Sequence, residues 1–276
     1  MTARSAQGKD FSSFQAPVGP SDLTGLSFAV ARVSNWDGTV MGTDPHFEGN
    51  WRAFKTAGIH RGAYWYLQQN VSPGTQAAYF VKAVKAAGLG PGDILIADSE
   101  IPSAGADAMT HAFCTEVEAI AGPHCPVMVY TDHATGQFLV SCTGWPLWFA
   151  WPSPVAPPAA MLAPWKEWRL WQWGELGSVD ADAFNGTSEV LDEWIAAYLP
   201  VPVAAPPAAV TVTTDGTKTL GWIAAANKTA PSGILRATAI ADGLYPADVA
   251  AWLNEVFAGT VSPTTPVPAG LVLRIP

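Results

Sequence analysis

Charge is scarce in this 276-residue chain: Asp, Glu, Lys and Arg together make up 13% of it. Bases are the scarcer sign, with 14 Lys and Arg against 23 Asp and Glu and a formal net charge of −9. Gripping a phosphate backbone requires clustered Lys and Arg, so this balance excludes nucleic acid as a partner. Also lacking is any unbroken apolar run near the roughly 18 residues that a membrane-crossing helix needs. The opening MTARSAQGKD holds no apolar signal-peptide core, so the expectation is synthesis in a cytoplasm with export or delivery supplied by something else. Cysteine is limited to Cys114, Cys125 and Cys142, whose spacing matches no metal-ligand pattern and whose odd number leaves a thiol unpaired within the chain. The simplest reading makes them buried small hydrophobes, with a Cys114–Cys125 disulfide as the rival. No metal or cofactor motif occurs, and none is expected to be bound.

Apolar residues are plentiful, at 49%, which excludes general disorder. Between residues 1 and 200, short apolar stretches alternate with helical ones, the pattern of repeated β/α units around a parallel sheet. Strands are expected at 27–33 (SFAVARV), 62–67 (GAYWYL), 94–98 (ILIAD), 127–131 (VMVYT), 147–151 (LWFAW) and 170–173 (LWQW). Helices fit at 45–57 and 75–87, stopped by Gly58 and Gly88, and in ADAMTHAFCTEVEAIA before Gly122. Charge changes near residue 200: the first 200 residues carry 19 acids and 10 bases, the remainder four of each. The boundary coincides with VPVAAPPAAV (201–210), which has the composition of a semi-rigid linker. Beyond it, helices are expected around 218–228 and 246–258, followed by an extended GLVLRIP.

Against this apolar background the stretch ILIADSE ends a buried strand on two acids. Strand side chains alternate sides, so Asp98 and Glu100 point the same way and Ser99 the other. Two more acids belong at the same end of a β/α barrel: Asp10 in GKDFSSFQ, at the end of a first strand, and Asp180 in GSVDADAFNG, after the last one. Acids gathered at an apolar strand end acquire shifted pKa values and hence chemical use. The plainer alternative is ion pairing or capping of the following helix. Tyr64, Trp65, Tyr66, Tyr130, Trp148, Trp151, Trp171 and Trp173 lie on or near the same strand ends. They are either core residues or faces on which sugar rings stack. Carboxylates with aromatics and no metal motif point to glycoside hydrolysis, in which one acid protonates the leaving oxygen and a second carboxylate stabilises or attacks the anomeric carbon.

Taken in order, GKDFSSFQ, FAVARVS, GAYWYL, ILIADSE, VMVYT, LWFAWP, LWQW and VDADAFNG resemble glycoside hydrolase family 25, the muramidases common among bacterial and phage cell-wall lysins. The resemblance spans about residues 5 to 198. It implies an α/β fold, an irregular TIM-like (β/α) barrel, that cleaves the β-1,4 bond between N-acetylmuramic acid and N-acetylglucosamine. By position it makes Glu100 the general acid and Asp98 its partner carboxylate, with Asp10 tuning the pair electrostatically. Asp180 matches the aspartate of the family's V-D-x-N-x-F ending, and Asp182 stands where the family usually has asparagine, so either could complete the site. Tyr64, Tyr66, Tyr130, Trp148, Trp171 and Asp182 are the expected substrate contacts. Trp65 stands where the family often has histidine, which would alter subsite shape. Residues two apart on a strand are roughly 6.5 to 7 Å apart at Cα, which leaves retaining, inverting and substrate-assisted routes open.

The piece from 211 to 276 resembles a stretched lysin-motif (LysM) domain, a small α+β fold, in DGTKTLGWIAAANK and the closing GLVLRIP. That likeness implies either wall-sugar binding or docking to a particle. The expected partner is the peptidoglycan glycan strand, reached by holin-dependent release or from a phage particle. The competing expectation is a catalytically silent muramidase-like protein that binds walls or builds a virion.

Overall fold

The computed structural model describes residues 5–36, 41–200, 210–213, 223, 267 and 272–275. The chain forms two compact units, Met1–Pro200 and Val201–Pro276. In the first, eight strands close a barrel: β1 (Gln7–Phe11), β2 (Phe28–Arg32), β5 (His60–Tyr66), β6 (Ile94–Asp98), β7 (Val127–Thr131), β8 (Leu147–Ala150), β9 (Leu170–Leu176) and β10 (Val179–Phe184). Around the barrel the order is β1-β10-β9-β8-β7-β6-β5-β2, and β2 pairs back onto β1. Neighbours are parallel except β10, which runs antiparallel to both β1 and β9. A two-stranded hairpin, β3 (Ser34–Trp36) with β4 (Met41–Thr43), leaves the mouth side after β2.

Helices clothe only part of the barrel, which makes it irregular. They are α1 (Phe47–Ala57), α2 (Pro73–Ala86), α3 (Ala106–Ala121), a single turn α4 (His133–Gly136), and α5 (Ser188–Ala196) after the last strand. Local chemistry sets their ends. Ser72 and Thr187 cap α2 and α5 by accepting hydrogen bonds from the Thr75 and Val190 amides, satisfying first-turn donors. Gly58 ends α1 at φ 70°, in the left-handed region that glycine adopts without a Cβ penalty.

Strand alternation separates two cores. Odd-numbered residues of β6 (Leu95, Ala97) and their equivalents Ala29, Ala31, Ala63, Trp65, Val127, Val129 and Phe149 pack outward against the helices. Phe28, Val30, Ile94, Ile96, Met128, Trp148, Leu170 and Phe184 fill the barrel interior. Cys114, Cys125 and Cys142 are buried free thiols, so the disulfide alternative is not realised.

Two expectations change. GSVDADAFNG does not follow the last strand: VDADAF is itself the last strand of the barrel, held by β1 on one side and β9 on the other. Trp65 does not shape a subsite. It is 2% exposed on the outer face of β5, against Tyr79 and Phe80, and its Nε1 donates to Gln76 Oε1 at 3.1 Å.

In the second unit, β11 (Val210–Thr213) pairs antiparallel with β12 (Val272–Ile275), so the extended GLVLRIP is a strand over Val272–Ile275. The helices expected around 218–228 and 246–258 lie outside the described residues, Ile223 aside.

Candidate active site

The interior face of most strands ends, at the barrel mouth, in a polar residue. Continuing Phe28 and Val30 gives Arg32; Ile94 and Ile96 give Asp98; Met128 gives Tyr130; Leu170 gives Gln172. Gly8 is followed on the same face by Asp10, and Gly8 is required: a Cβ there would lie 2.2 Å from the Phe28 ring that fills the barrel beneath the site. These residues line a cleft of about 650 Å³ with Tyr64, Tyr66, Trp148, Glu100 and Asp180.

Asp98 is 3% exposed, and its Oδ1 has no hydrogen-bond partner among the described residues. Burial, then the nearby charge of Glu100, lifts the Asp98 carboxyl well above the usual carboxylate range. The Asp98 and Glu100 side chains interact with each other, a contact that raises the deeper Asp98 further. Glu100, at the exposed mouth, is also raised: burial lifts it, the contact with Asp98 pulls it back, and the charges of Asp132 and Asp180 add to the rise.

Across the cleft, β1 and β10 set Asp10 directly opposite Asp180. Asp10, 6% exposed, accepts from Gln172 Nε2 at 2.8 Å, while Tyr130 donates to Gln172 Oε1 at 2.8 Å. Burial first, and the Asp180 charge second, push Asp10 up to about 7. Asp180 sits at the rim and is raised by partial burial and then by Glu175. Two residues deeper on β10, Asp182 is fully buried and its Oδ1 accepts from Trp148 Nε1 at 2.9 Å. Asp180 therefore completes the cleft wall, and Asp182 lies beneath it instead of lining it.

Of the expected sugar contacts, Tyr64, Tyr66, Tyr130 and Trp148 line the cleft, and Trp148 meets Tyr64 and Tyr130 edge to face. Trp171 does not. It lies on the side of β9 opposite Gln172, packed on Trp168 with its Nε1 donating to the Trp151 carbonyl at 2.7 Å. Among the cleft residues beyond the expected set are Gln172, Arg32 and Phe14. Gln172 and Arg32 share the interior parity of their strands, a signal that could have found both. Phe14, 84% exposed, has no such signal, because its place comes from a loop. That loop is pinned by Asp44, whose Oδ2 accepts from the Ser13 amide at 2.9 Å and from Arg32 Nε at 2.8 Å, while the Arg32 guanidinium lies 4.4 Å from the Phe14 ring centre.

A pair of raised carboxyls facing two further carboxyls, between aromatic walls, can donate a proton to a leaving oxygen and stabilise positive charge at the carbon it leaves. The barrel is shared with known proteins. The fold matches a family 25 glycosyl hydrolase from Bacillus anthracis, with a TM-score of 0.57 and 18% identity over 70% of this chain and 94% of that one. It also matches the catalytic domain of the endolysin ply40 from bacteriophage P40 of Listeria monocytogenes (TM-score 0.54, 21% identity, 69% and 97% covered). A third match is the Clostridium perfringens spore cortex lytic enzyme SleM (TM-score 0.56, 20% identity, 78% and 77% covered). No curated protein sequence matches the chain. The family model described as Glycosyl hydrolases family 25 matches residues 9–182, a span that begins beside Asp10 and ends on Asp182, and the chain belongs to that family of glycoside hydrolases.

Proposed function

We propose that the chain is a peptidoglycan N-acetylmuramidase that hydrolyses the β-1,4 bond between N-acetylmuramic acid and N-acetylglucosamine. The carrying observation is the Asp98–Glu100 pair: two neighbouring carboxyls, one buried deep and one reaching the cleft, in a cleft they share with Asp10 and Asp180. In this reading Glu100 is the general acid. Its proton passes to the glycosidic oxygen as the bond from that oxygen to the anomeric carbon breaks. The positive charge left on the sugar is stabilised by the surrounding carboxylates, water adds to the anomeric carbon, and the proton that water releases returns the pair to its starting state. Asp98 stores a proton for Glu100 and orients the sugar. Tyr64, Tyr66, Tyr130 and Trp148 supply stacking and hydrogen-bonding surface for the ring. Listeria phage and Clostridium enzymes with this fold are named as an endolysin and a spore cortex lytic enzyme, which supports the wall as target and a lysin as the setting. The unit beyond residue 200 would then anchor the enzyme to wall sugar or to a particle.

Purified cell walls test this directly. Wild type should release new reducing ends that borohydride converts to muramitol, and Glu100→Gln should lose about 100-fold or more of that rate. Equal rates in the two proteins would sink the assignment. Wall binding without any new reducing ends would instead favour a silent binding protein.

A further inference from the structure

Of the buried carboxyls that the reaction does not use, Asp44 and Asp93 are paired with Arg32 and Arg61, whereas Asp182 has no salt-bridge partner among the described residues. It is 0% exposed, and its two oxygens are unequal: Oδ1 accepts from the Trp148 indole, whereas Oδ2 has no donor among the described residues. The register of β1 against β10 sets Gly8 opposite Asp182 and Asp10 opposite Asp180, so the Asp182 carboxyl has another carboxyl, that of Asp10, as its diagonal neighbour, and the two interact. Two ionised carboxylates cannot share a dry site, because each disfavours the other's charge and neither can donate. Asp10 already receives a hydrogen bond from Gln172, which favours its ionised form. The proton therefore belongs on the deeper, donor-less Asp182 oxygen, where it supplies the donor that Asp10 otherwise lacks.

We propose that Asp182 is a positioning residue that keeps its proton while Asp10 is ionised, donating from Oδ2 to Asp10 so that the pair carries one negative charge in a fixed orientation. Asp182 then does with a proton what an asparagine at this position would do with an amide. The groups that face the pair are Asp180 on β10 itself, Gln172 on β9, Trp148 on β8, Tyr130 on β7, Asp98 and Glu100 at the end of β6, Tyr64 on β5 and Arg32 on β2. Among these, Asp180 and Glu100 add negative charge, and Arg32, the one cation, is engaged by Asp44. The field at the pair thus favours retention of the proton. This role rests on Asp10 belonging to the catalytic cluster, but the proton itself can be observed whether or not the muramidase reading holds.

Side-chain 13C NMR of the full-length protein reads that proton. The assigned Asp182 carboxyl carbon should keep a protonated shift from about pH 5 to about pH 8, whereas an ordinary aspartate is ionised throughout that range. An ionised shift at about pH 5 would overturn the proposal. Two variants provide an independent arm. Asp182→Asn retains a donor and Asp182→Ala does not, so wall hydrolysis by the alanine variant should fall about tenfold or more below that of the asparagine variant, the effect of one hydrogen bond to a charged group. Equal rates in the two variants would remove the positioning role. The thermal midpoint of Asp182→Asn relative to wild type should also climb with pH, because only wild type must hold a proton against rising alkalinity; a gap that stays flat with pH would overturn the proposal. Should neither variant fold, the wild-type NMR titration still decides.

Discussion

Gln172 joins Asp10 to Tyr130: its amide nitrogen donates to Asp10 Oδ2 and its amide oxygen accepts from the Tyr130 hydroxyl, both at 2.8 Å. The donor favours ionised Asp10, opposing the burial that pushes that carboxyl up to about 7. Gln172→Leu removes it, so Asp10 should rise further and the acidic limb of the pH–rate profile should move up by about one pH unit, which corresponds to about 1.4 kcal/mol. An unmoved limb in initial-rate measurements on purified walls would show that Asp10 does not control it.

Phe14 stands exposed at the cleft lip, its ring against the Arg32 guanidinium, on a loop held by Asp44 and Arg32. A rigid aromatic face in that place can take a sugar ring without ordering cost. Phe14→Ala should raise KM about threefold to tenfold with a smaller effect on kcat, the signature of lost ground-state binding, and Phe14→Trp should recover most of the loss. A fall in kcat alone would place Phe14 outside the binding surface.

Trp65, by contrast, should matter for folding alone. Trp65→His empties much of a packed site between β5 and α2, so the thermal midpoint should drop by an amount corresponding to about 3 kcal/mol or more. The KM of the folded fraction should stay unchanged. A changed KM with an unchanged midpoint would contradict the placement of Trp65 on the outer face.

The acids at the mouth set the pH dependence of stability. Asp10, Asp98, Glu100 and Asp182 all have raised carboxyls in the folded chain, so folded protein holds protons that unfolded protein releases above its ordinary carboxylate pKa. Their contribution is greatest below about pH 4 and is lost as pH climbs, for Asp10 up to about 7, at roughly 1.4 kcal/mol per pH unit for each proton retained. Denaturation of wild type across this range should show stability falling from about pH 5 toward neutrality, and Asp10→Asn should flatten the slope. A stability maximum at neutral pH would contradict the proton count.

How far the fold could be read in the sequence depended on where each element draws its stability. The strands β6 and β7 are legible to the residue because a strand buried on both faces is a continuous apolar run between turn signals. VDADAF is not legible as a strand: two acids in six residues resemble a turn, and its extended state comes from pairing with residues about 170 positions earlier and about 10 earlier. The same alternation that pairs Asp98 with Glu100 also separates Tyr64 and Tyr66 from Trp65, and Gln172 from Trp171. Carried along every strand, it selects most of the cleft lining. It does not reach Phe14, whose position depends on a buried carboxylate 30 residues away in the chain, or the division of labour between Asp180 and Asp182, which depends on depth along β10.

Because β10 runs against its neighbours, the turn at Gly177 and Ser178 lies at the mouth of the barrel, with Leu176 exposed beside it. A barrel built wholly of parallel strands would have a long crossover in that place. Here two residues close a hairpin tip next to the acids, and the strands below it are anchored on both sides. Extra residues inserted at that tip would heighten one wall of the groove while every barrel hydrogen bond stayed in register, which makes the hairpin a natural place to graft loops for different glycan lengths.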